Sequence, residues 1–398
     1  MKKKKISLLS APLDYNWRHI LAIFLFSRLF YVGILLATPA LTIGIPAYGD
    51  VIRLAQPWGT WLHQALFNSD SLWYWSIATK GYAHVPFNTA QEYNWAFFPL
   101  YPWLTRWIGM LWPGHLLAVG VMISNAAFFA ALWMTYRWIS RHASPLSALS
   151  VVLLEAFSPA TPYFTAYRAA ALFFFFSVAS LAAMDRAAWA LAVFWGILAG
   201  LTRPTGILLA VPYWLSLWTH PRMDPADARR WLWSIAGIFY AQGFAVLSLI
   251  DRVATGNPLA FLQIQSTWSR FLTWPFAADV RWLLSPLSTL TTSGGWAFPP
   301  LALLMSFSAL LFAFFLTKQA RRWQPLAWYL AITTLLANSY SIFDGIPRFI
   351  AELPPWYIGP VIGTRPHSLW RALFFAGFVL LMAWDSTLWA LSVHAVQS

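Results

Sequence analysis

The chain has no cysteine among its 398 residues. Disulfides and thiolate metal sites are therefore excluded, and the redox compartment stays unread. Charge is almost as scarce. Only 10% of residues are charged, against about 25% in an average soluble domain. Carboxylates number 13, and no regular train of them runs through the apolar stretches as an ion path would require. There is no Walker loop, no GxGxxG, no HExxH and no nucleophile elbow. The 8 histidines do not fall at metal-ligand spacing.

Apolar surface is what the sequence has in excess. Hydrophobic residues make up 59% of the chain, and the mean hydropathy is +0.57. No water-soluble fold of this length hides so much, so the solvent is lipid. Part of the excess of Trp (27) and Phe (31) belongs at the two membrane interfaces. A span needs about 20 mostly apolar residues. About eleven stretches qualify, near 17–37, 115–135, 146–160, 162–184, 187–202, 205–219, 231–250, 297–317, 325–343, 347–363 and 368–391. The expected fold class is an all-α polytopic membrane protein, a single domain over 1–398.

A net charge of +13 would suggest nucleic acid in a soluble protein. Here it reads as topology, because Lys and Arg gather in cytoplasmic loops. With the N-terminus inside, the inner loops hold Arg137, Arg141, Arg186, Arg222, Arg229, Arg230, Lys318, Arg321, Arg322, Arg365 and Arg371. That gives about sixteen cations inside against about nine outside, and predicts N-in and C-out. The basic start Met1-Lys2-Lys3-Lys4-Lys5 leads into a full-length span at Trp17–Ala37, which reads as a retained helix and not a cleaved signal. Two longer segments, 38–114 and 251–296, fall outside as the first and second outer loops. The first is rich in aromatics and predicts short interfacial helices near 58–67 and 70–80.

Chemistry has few candidates. Glu155 sits in an apolar span, where an ionisable group is costly; it either functions there or pairs with a neighbouring helix. Asp70 opens the run Asp70-Ser71-Leu72-Trp73-Tyr74-Trp75. It is placed either to cap a helix or to act as a general base among aromatics at the membrane surface. In Asn94-Trp95-Ala96-Phe97-Phe98-Pro99-Leu100-Tyr101-Pro102 the prolines forbid one continuous helix. The segment is an interfacial turn, or a groove for a lipid chain. Arg203 in Thr202-Arg203-Pro204-Thr205-Gly206 and Arg348 in Ile346-Pro347-Arg348-Phe349 lie at the outer face, against the topological bias. Arginine binds phosphate through a fork of donors, so a lipid phosphate is the natural partner, whether as substrate or as anchor.

These residues resemble the PIG-V-like mannosyltransferases. The likeness rests on Asp70-Ser71 with the following aromatics, Ile77-Ala78 and Gly81-Tyr82, then Ala96-Phe97-Phe98-Pro99-Leu100-Tyr101-Pro102. Further matches follow in order: Ser158-Pro159-Ala160, Arg203-Pro204-Thr205-Gly206, Gly256-Asn257-Pro258-Leu259-Ala260-Phe261 with Gln265 and Trp268, and Pro347-Arg348-Phe349. The resemblance spans about residues 20–360. It implies a GT-C fold and an inverting transfer of a sugar, mannose, from a polyprenyl-phosphate donor to a hydroxyl acceptor at the outer face of the cell membrane. Asp70 would be the catalytic base. Arg203 and Arg348 would bind the donor phosphate. Trp73, Tyr74, Tyr82, Phe97, Phe98, Tyr101, Gln265 and Trp268 would line the groove for lipid and sugar. No metal or other cofactor is required, although a divalent cation stays open. The expected partners are the lipid-linked donor, an unidentified acceptor and membrane lipids, with no nucleic acid.

Two positions depart from the family. Ser69 stands where the family tends to have Trp. In Tyr167-Arg168-Ala169-Ala170 an arginine stands near where a Tyr-Ser/Thr-Glu run is usual, and no acid is present. The other readings are a transporter or flippase of lipid-linked sugars, which would predict broken helices meeting at the midplane, and a non-catalytic lipid-binding subunit.

Overall fold

The computed structural model describes residues 17–42, 62–63, 65–67, 70–220, 228–284, 299–341, 345–365 and 367–395. Ser69, Arg222, the segments 43–61 and 285–298, and half of the expected 58–67 helix lie outside these residues. The described elements are all helical, apart from one isolated bridge between Leu272 and Tyr340. The all-α polytopic architecture expected from composition is the one observed.

Five helices are long and apolar enough to cross a membrane: Trp17–Ala37, Leu116–Ile139, Ala228–Thr255, Pro300–Thr317 and Leu369–Thr387. Shorter apolar helices, Pro145–Ala156, Ala170–Asp185 and Trp189–Thr202, pack among them. Large apolar side chains on the long helices point outward. Leu29, Leu249, Val253 and Leu380 are each exposed, as lipid-facing positions are.

The core is organised around Ala170–Asp185. A helix that is apolar all round belongs inside. Here all of Ala170–Phe174 and Phe176–Met184 are buried. Its packing neighbours include Leu116–Ile139 and Trp189–Thr202. Glycine lets the next layer approach. Gly200 and Gly243 face each other so closely that a Cβ on Gly243 would stand 2.0 Å from the Gly200 carbonyl oxygen.

Several expected spans are broken, for identifiable reasons. The stretch 162–184 is divided into Thr161–Thr165 and Ala170–Asp185, with Ala166–Ala169 between them. The Tyr167 N–H turns away to donate to the Leu66 carbonyl at 2.9 Å. The stretch 347–363 becomes Ile346–Ala351 and Pro354–Ile362, because Pro354 and Pro355 start a new helix instead of continuing the old one. The span expected at 231–250 continues to Thr255 and ends at Gly256, whose positive φ of 80° suits glycine. The prolines of the aromatic turn behave as positional signals. Pro99 caps the Leu100–Gly109 helix, and Pro102 sits in its first turn, where a missing N–H costs nothing.

Close packing at Gly243 gives a direct test. Gly243→Ala should lower stability by about 1–3 kcal/mol, since backbone must move to admit the methyl. Gly377→Ala, with open space around it, should be neutral or slightly stabilising. Thermal unfolding of both variants in detergent measures the difference.

Candidate functional site

Asp70 is the first residue of the Asp70–Lys80 helix. Among the described residues its carboxylate makes no capping bond to that helix. Instead its Oδ2 accepts from two guanidinium groups. Arg168 Nη1 donates at 2.9 Å, and Arg348 Nη1 donates to the same oxygen. The three groups come from positions far apart in sequence. Arg168 lies in the break between Thr161–Thr165 and Ala170–Asp185, and Ser124 Oγ fixes its carbonyl at 3.0 Å. Arg348 lies on the short helix Ile346–Ala351, which starts at Gly345 with φ of 87°. Aromatic faces hold the cations in place. The Arg168 guanidinium stands 4.7 Å from the Trp389 ring centre, and the Tyr163 ring lies 5.5 Å from Arg168 and 5.7 Å from Arg348.

A second ion pair adjoins the first. Arg203 follows the Trp189–Thr202 helix in extended backbone, and its Nη1 donates to Glu352 Oε1 at 2.6 Å. Both side chains are buried, at 8% and 1% exposure. Phe349 lies 5.5 Å from Arg203 and 5.6 Å from Arg348, between the two pairs.

A cavity of about 820 Å³ opens on this cluster. Asp70, Arg203, Arg270, Arg348 and Glu92 line it, with an aromatic wall of Trp73, Tyr74, Phe97, Phe98 and Trp268. Trp73, Phe97 and Trp268 form a mutual triad with ring centres 5.9–6.3 Å apart. Gln265 also lines the cavity. Tyr82 and Tyr101, expected in the groove, do not. Both are buried behind its wall. The Tyr82 hydroxyl donates to the Phe97 carbonyl at 2.6 Å, and Tyr101 donates to the Gly120 carbonyl at 3.0 Å while its ring backs Tyr74. They brace the groove from behind. Glu155 is also elsewhere. It accepts from Thr135 Oγ1 at 3.1 Å between two packed helices.

The electrostatics of Asp70 set what it can do. Burial alone would raise its pKa. Arg168, Arg348 and Arg270 outweigh that and hold the carboxylate well below its usual range. Asp70 is therefore ionised at any ordinary pH and is a weak base while both arginines face it. Counting the neighbouring Glu352, four arginines meet three carboxylates here, which leaves the site poised for an anion. Among the described residues, no group of three or more His, Cys, Asp or Glu could hold a metal ion.

Arg168, Arg270, Glu92 and Glu352 were not identified as site residues from sequence. The available signal for Arg168 was an arginine inside an otherwise apolar run, which demands a counter-ion. Glu352 carried the same signal between Ala351 and Leu353.

No family model and no curated protein matches the chain. Among solved structures it is similar to the oligosaccharyltransferase of Archaeoglobus fulgidus. The apo form aligns with TM-score 0.43 and 12% identity, over 93% of this chain and 56% of that one. The same enzyme in complex with an inhibitory peptide and a dolichol-phosphate aligns with TM-score 0.42 and 13% identity, over 93% and 56%. The chain thus spans about half the length of these relatives.

Removing the shared counter-ion should be costly even without substrate. Asp70→Asn leaves two guanidiniums facing each other and should lower stability by about 3 kcal/mol at pH 7. A depressed carboxylate pKa contributes stability that is complete above the unfolded value, near 3.8, and is lost as pH falls through the folded one. The gap between wild type and Asp70→Asn should therefore be constant from neutral pH down to about 4 and close only in stronger acid, as chemical unfolding against pH would show.

Proposed function

We propose that the chain is a membrane glycosyltransferase of GT-C type, similar to the PIG-V-like mannosyltransferases. It would move a sugar from a polyprenyl-phosphate donor to a hydroxyl acceptor at the outer face of the cell membrane, with inversion. One observation carries this reading. A carboxylate shared by two arginines lines an aromatic-walled cavity that holds further arginines. Phosphate, sugar and lipid chain each find matching chemistry there: guanidinium forks, ring faces and an apolar wall. Mannose as the sugar rests on the family resemblance.

The geometry suggests an order of events. Before the donor arrives, Arg168 and Arg348 keep Asp70 a poor proton acceptor. A donor phosphate entering beside Arg348 and Arg270 draws their charge toward itself, and the basicity of Asp70 rises. The acceptor oxygen then attacks the anomeric carbon while its proton passes to Asp70. The bond from that carbon to the phosphate oxygen breaks, and its electron pair leaves on the lipid phosphate. Arginines aimed at that developing charge stabilise the transition state, each by a few kcal/mol at most. Asp70 afterwards returns its proton to solvent. General-base help of this kind contributes about 10²–10⁴-fold.

Arg168 also favours a second reading. A carboxylate clamped this firmly suits a subunit that binds lipid phosphate without turnover. The transporter reading has less support, because the helix through the middle of the bundle is buried and apolar.

The test is transfer by the purified protein from labelled polyprenyl-phosphate sugars, with product analysis. We expect turnover in wild type and a loss of at least about 10²-fold in Asp70→Asn, with the variant still folded. Arg168→Gln should keep transfer and shift its pH optimum upward, because Asp70 regains a more ordinary pKa. Wild type that binds donor but makes no product would establish the binding-subunit reading. Normal turnover in Asp70→Asn would remove Asp70 from the chemistry.

A further inference from the structure

The Ala170–Asp185 helix has charged machinery at both ends. Arg168 precedes its first turn and Asp185 closes its last. Sixteen residues at 1.5 Å rise separate the two by about 24 Å. A second cavity, of about 660 Å³, opens at the Asp185 end. His142, Asp185, Arg186, His220, Arg321 and Arg322 are among its lining residues. They come from the ends of three helices, Leu116–Ile139, Ala170–Asp185 and Ala210–Thr219, and the turn before a fourth, Gln324–Ala337.

The polar contacts in this cavity form an ordered chain. His142 Nε2 lies 2.7 Å from Asp185 Oδ2, and Arg322 Nη1 contacts His142 Nδ1. A guanidinium can only donate. Nδ1 must therefore offer its lone pair, and Nε2 carries the proton that goes to Asp185. The rings are fixed by aromatic edges, His142 against Trp323 and His220 against Trp189. Three arginines then face one carboxylate. Among the described residues the Arg186 and Arg321 side chains make no hydrogen bond or ion pair. Partial burial and then the like charges of Arg141 and Arg137 lower the pKa of Arg186, and the nearby Asp185 offsets them only in part.

Topology explains why arginines occupy this end of the bundle. It does not explain why they converge on a cavity. Loop charges left to themselves spread into water, whereas these surround a space held open by a His–Asp pair. A tetrahedral oxyanion is the ligand that several guanidinium forks accept together. We infer that this cavity is a second anion site, which takes a phosphate group at the membrane face opposite Asp70. The group is either the headgroup of an anionic phospholipid or a free phosphate. This inference does not depend on the proposed sugar transfer.

The experiment has two arms, both on the full-length protein. In neutral detergent at constant ionic strength, inorganic phosphate is titrated against thermal unfolding. In phosphatidylcholine nanodiscs with graded phosphatidylglycerol, bound phosphatidylglycerol is counted by native mass spectrometry. We expect saturable binding in at least one arm; phosphate alone identifies a soluble ligand, and phosphatidylglycerol alone a lipid headgroup. Arg186→Gln with Arg321→Gln should weaken that binding by about tenfold or more, the worth of one charged hydrogen bond. Arg252→Gln, at an exposed cation that lines neither cavity, should leave it unchanged. If the double variant does not fold, Asp185→Asn serves instead, and should tighten binding by removing the one repelling charge. The inference is overturned by no saturable binding in either arm, by a double variant that binds like wild type, by loss of binding in Arg252→Gln, or by Asp185→Asn that binds no better.

Discussion

One carboxylate oxygen shared by two guanidinium groups is the constraint on which the site depends. Arg168 and Arg348 stand close enough to repel each other in partly buried surroundings, and Asp70 is what makes their approach tolerable. The arrangement explains local features that look unrelated. The helix after Thr165 breaks so that Arg168 can turn toward the cavity. The chain bends at Gly345 to set Arg348 opposite. Helix Asp70–Lys80 begins at the carboxylate that joins them. The aromatic wall of Trp73, Phe97 and Trp268 completes the same space from the other side.

Much of this was legible from sequence because lipid imposes simple rules. Composition alone gave the membrane and the helical class. Asp70, Arg203 and Arg348 stood out as charges on the wrong side or among the wrong neighbours, and all three line one cavity. The pairing was not legible. Arg203 looked like a free phosphate ligand, yet it is already bonded to Glu352, because a buried cation needs a carboxylate wherever the fold can supply one. Arg168 looked only like a missing acid. Its partner is 98 residues away, and no local pattern carries such a contact. Tyr82 and Tyr101 were placed in the groove by motif, but a buried hydroxyl must find an acceptor. Each found a backbone carbonyl behind the wall.

The same physics appears at both ends of the central helix. At one end excess arginine is partly neutralised by Asp70 and Glu352 around an aromatic cavity. At the other, excess arginine surrounds His142 and a single Asp185. The apolar length between them, from Ala170 to Met184, keeps the two fields apart. A chain with so few charges has concentrated many of them in two concave sites, a distribution that topology signals alone do not produce.

The central claim is that Asp70 and a lipid phosphate compete for the same arginines. The most direct measurement is the affinity of the purified protein for polyprenyl monophosphate, the leaving group of the proposed reaction. Wild type, Asp70→Asn and Arg348→Gln would be compared. If the account holds, Asp70→Asn binds the phosphate more tightly than wild type although it no longer transfers sugar, and Arg348→Gln binds it more weakly. Equal affinity in all three, or weaker binding in Asp70→Asn, would contradict it.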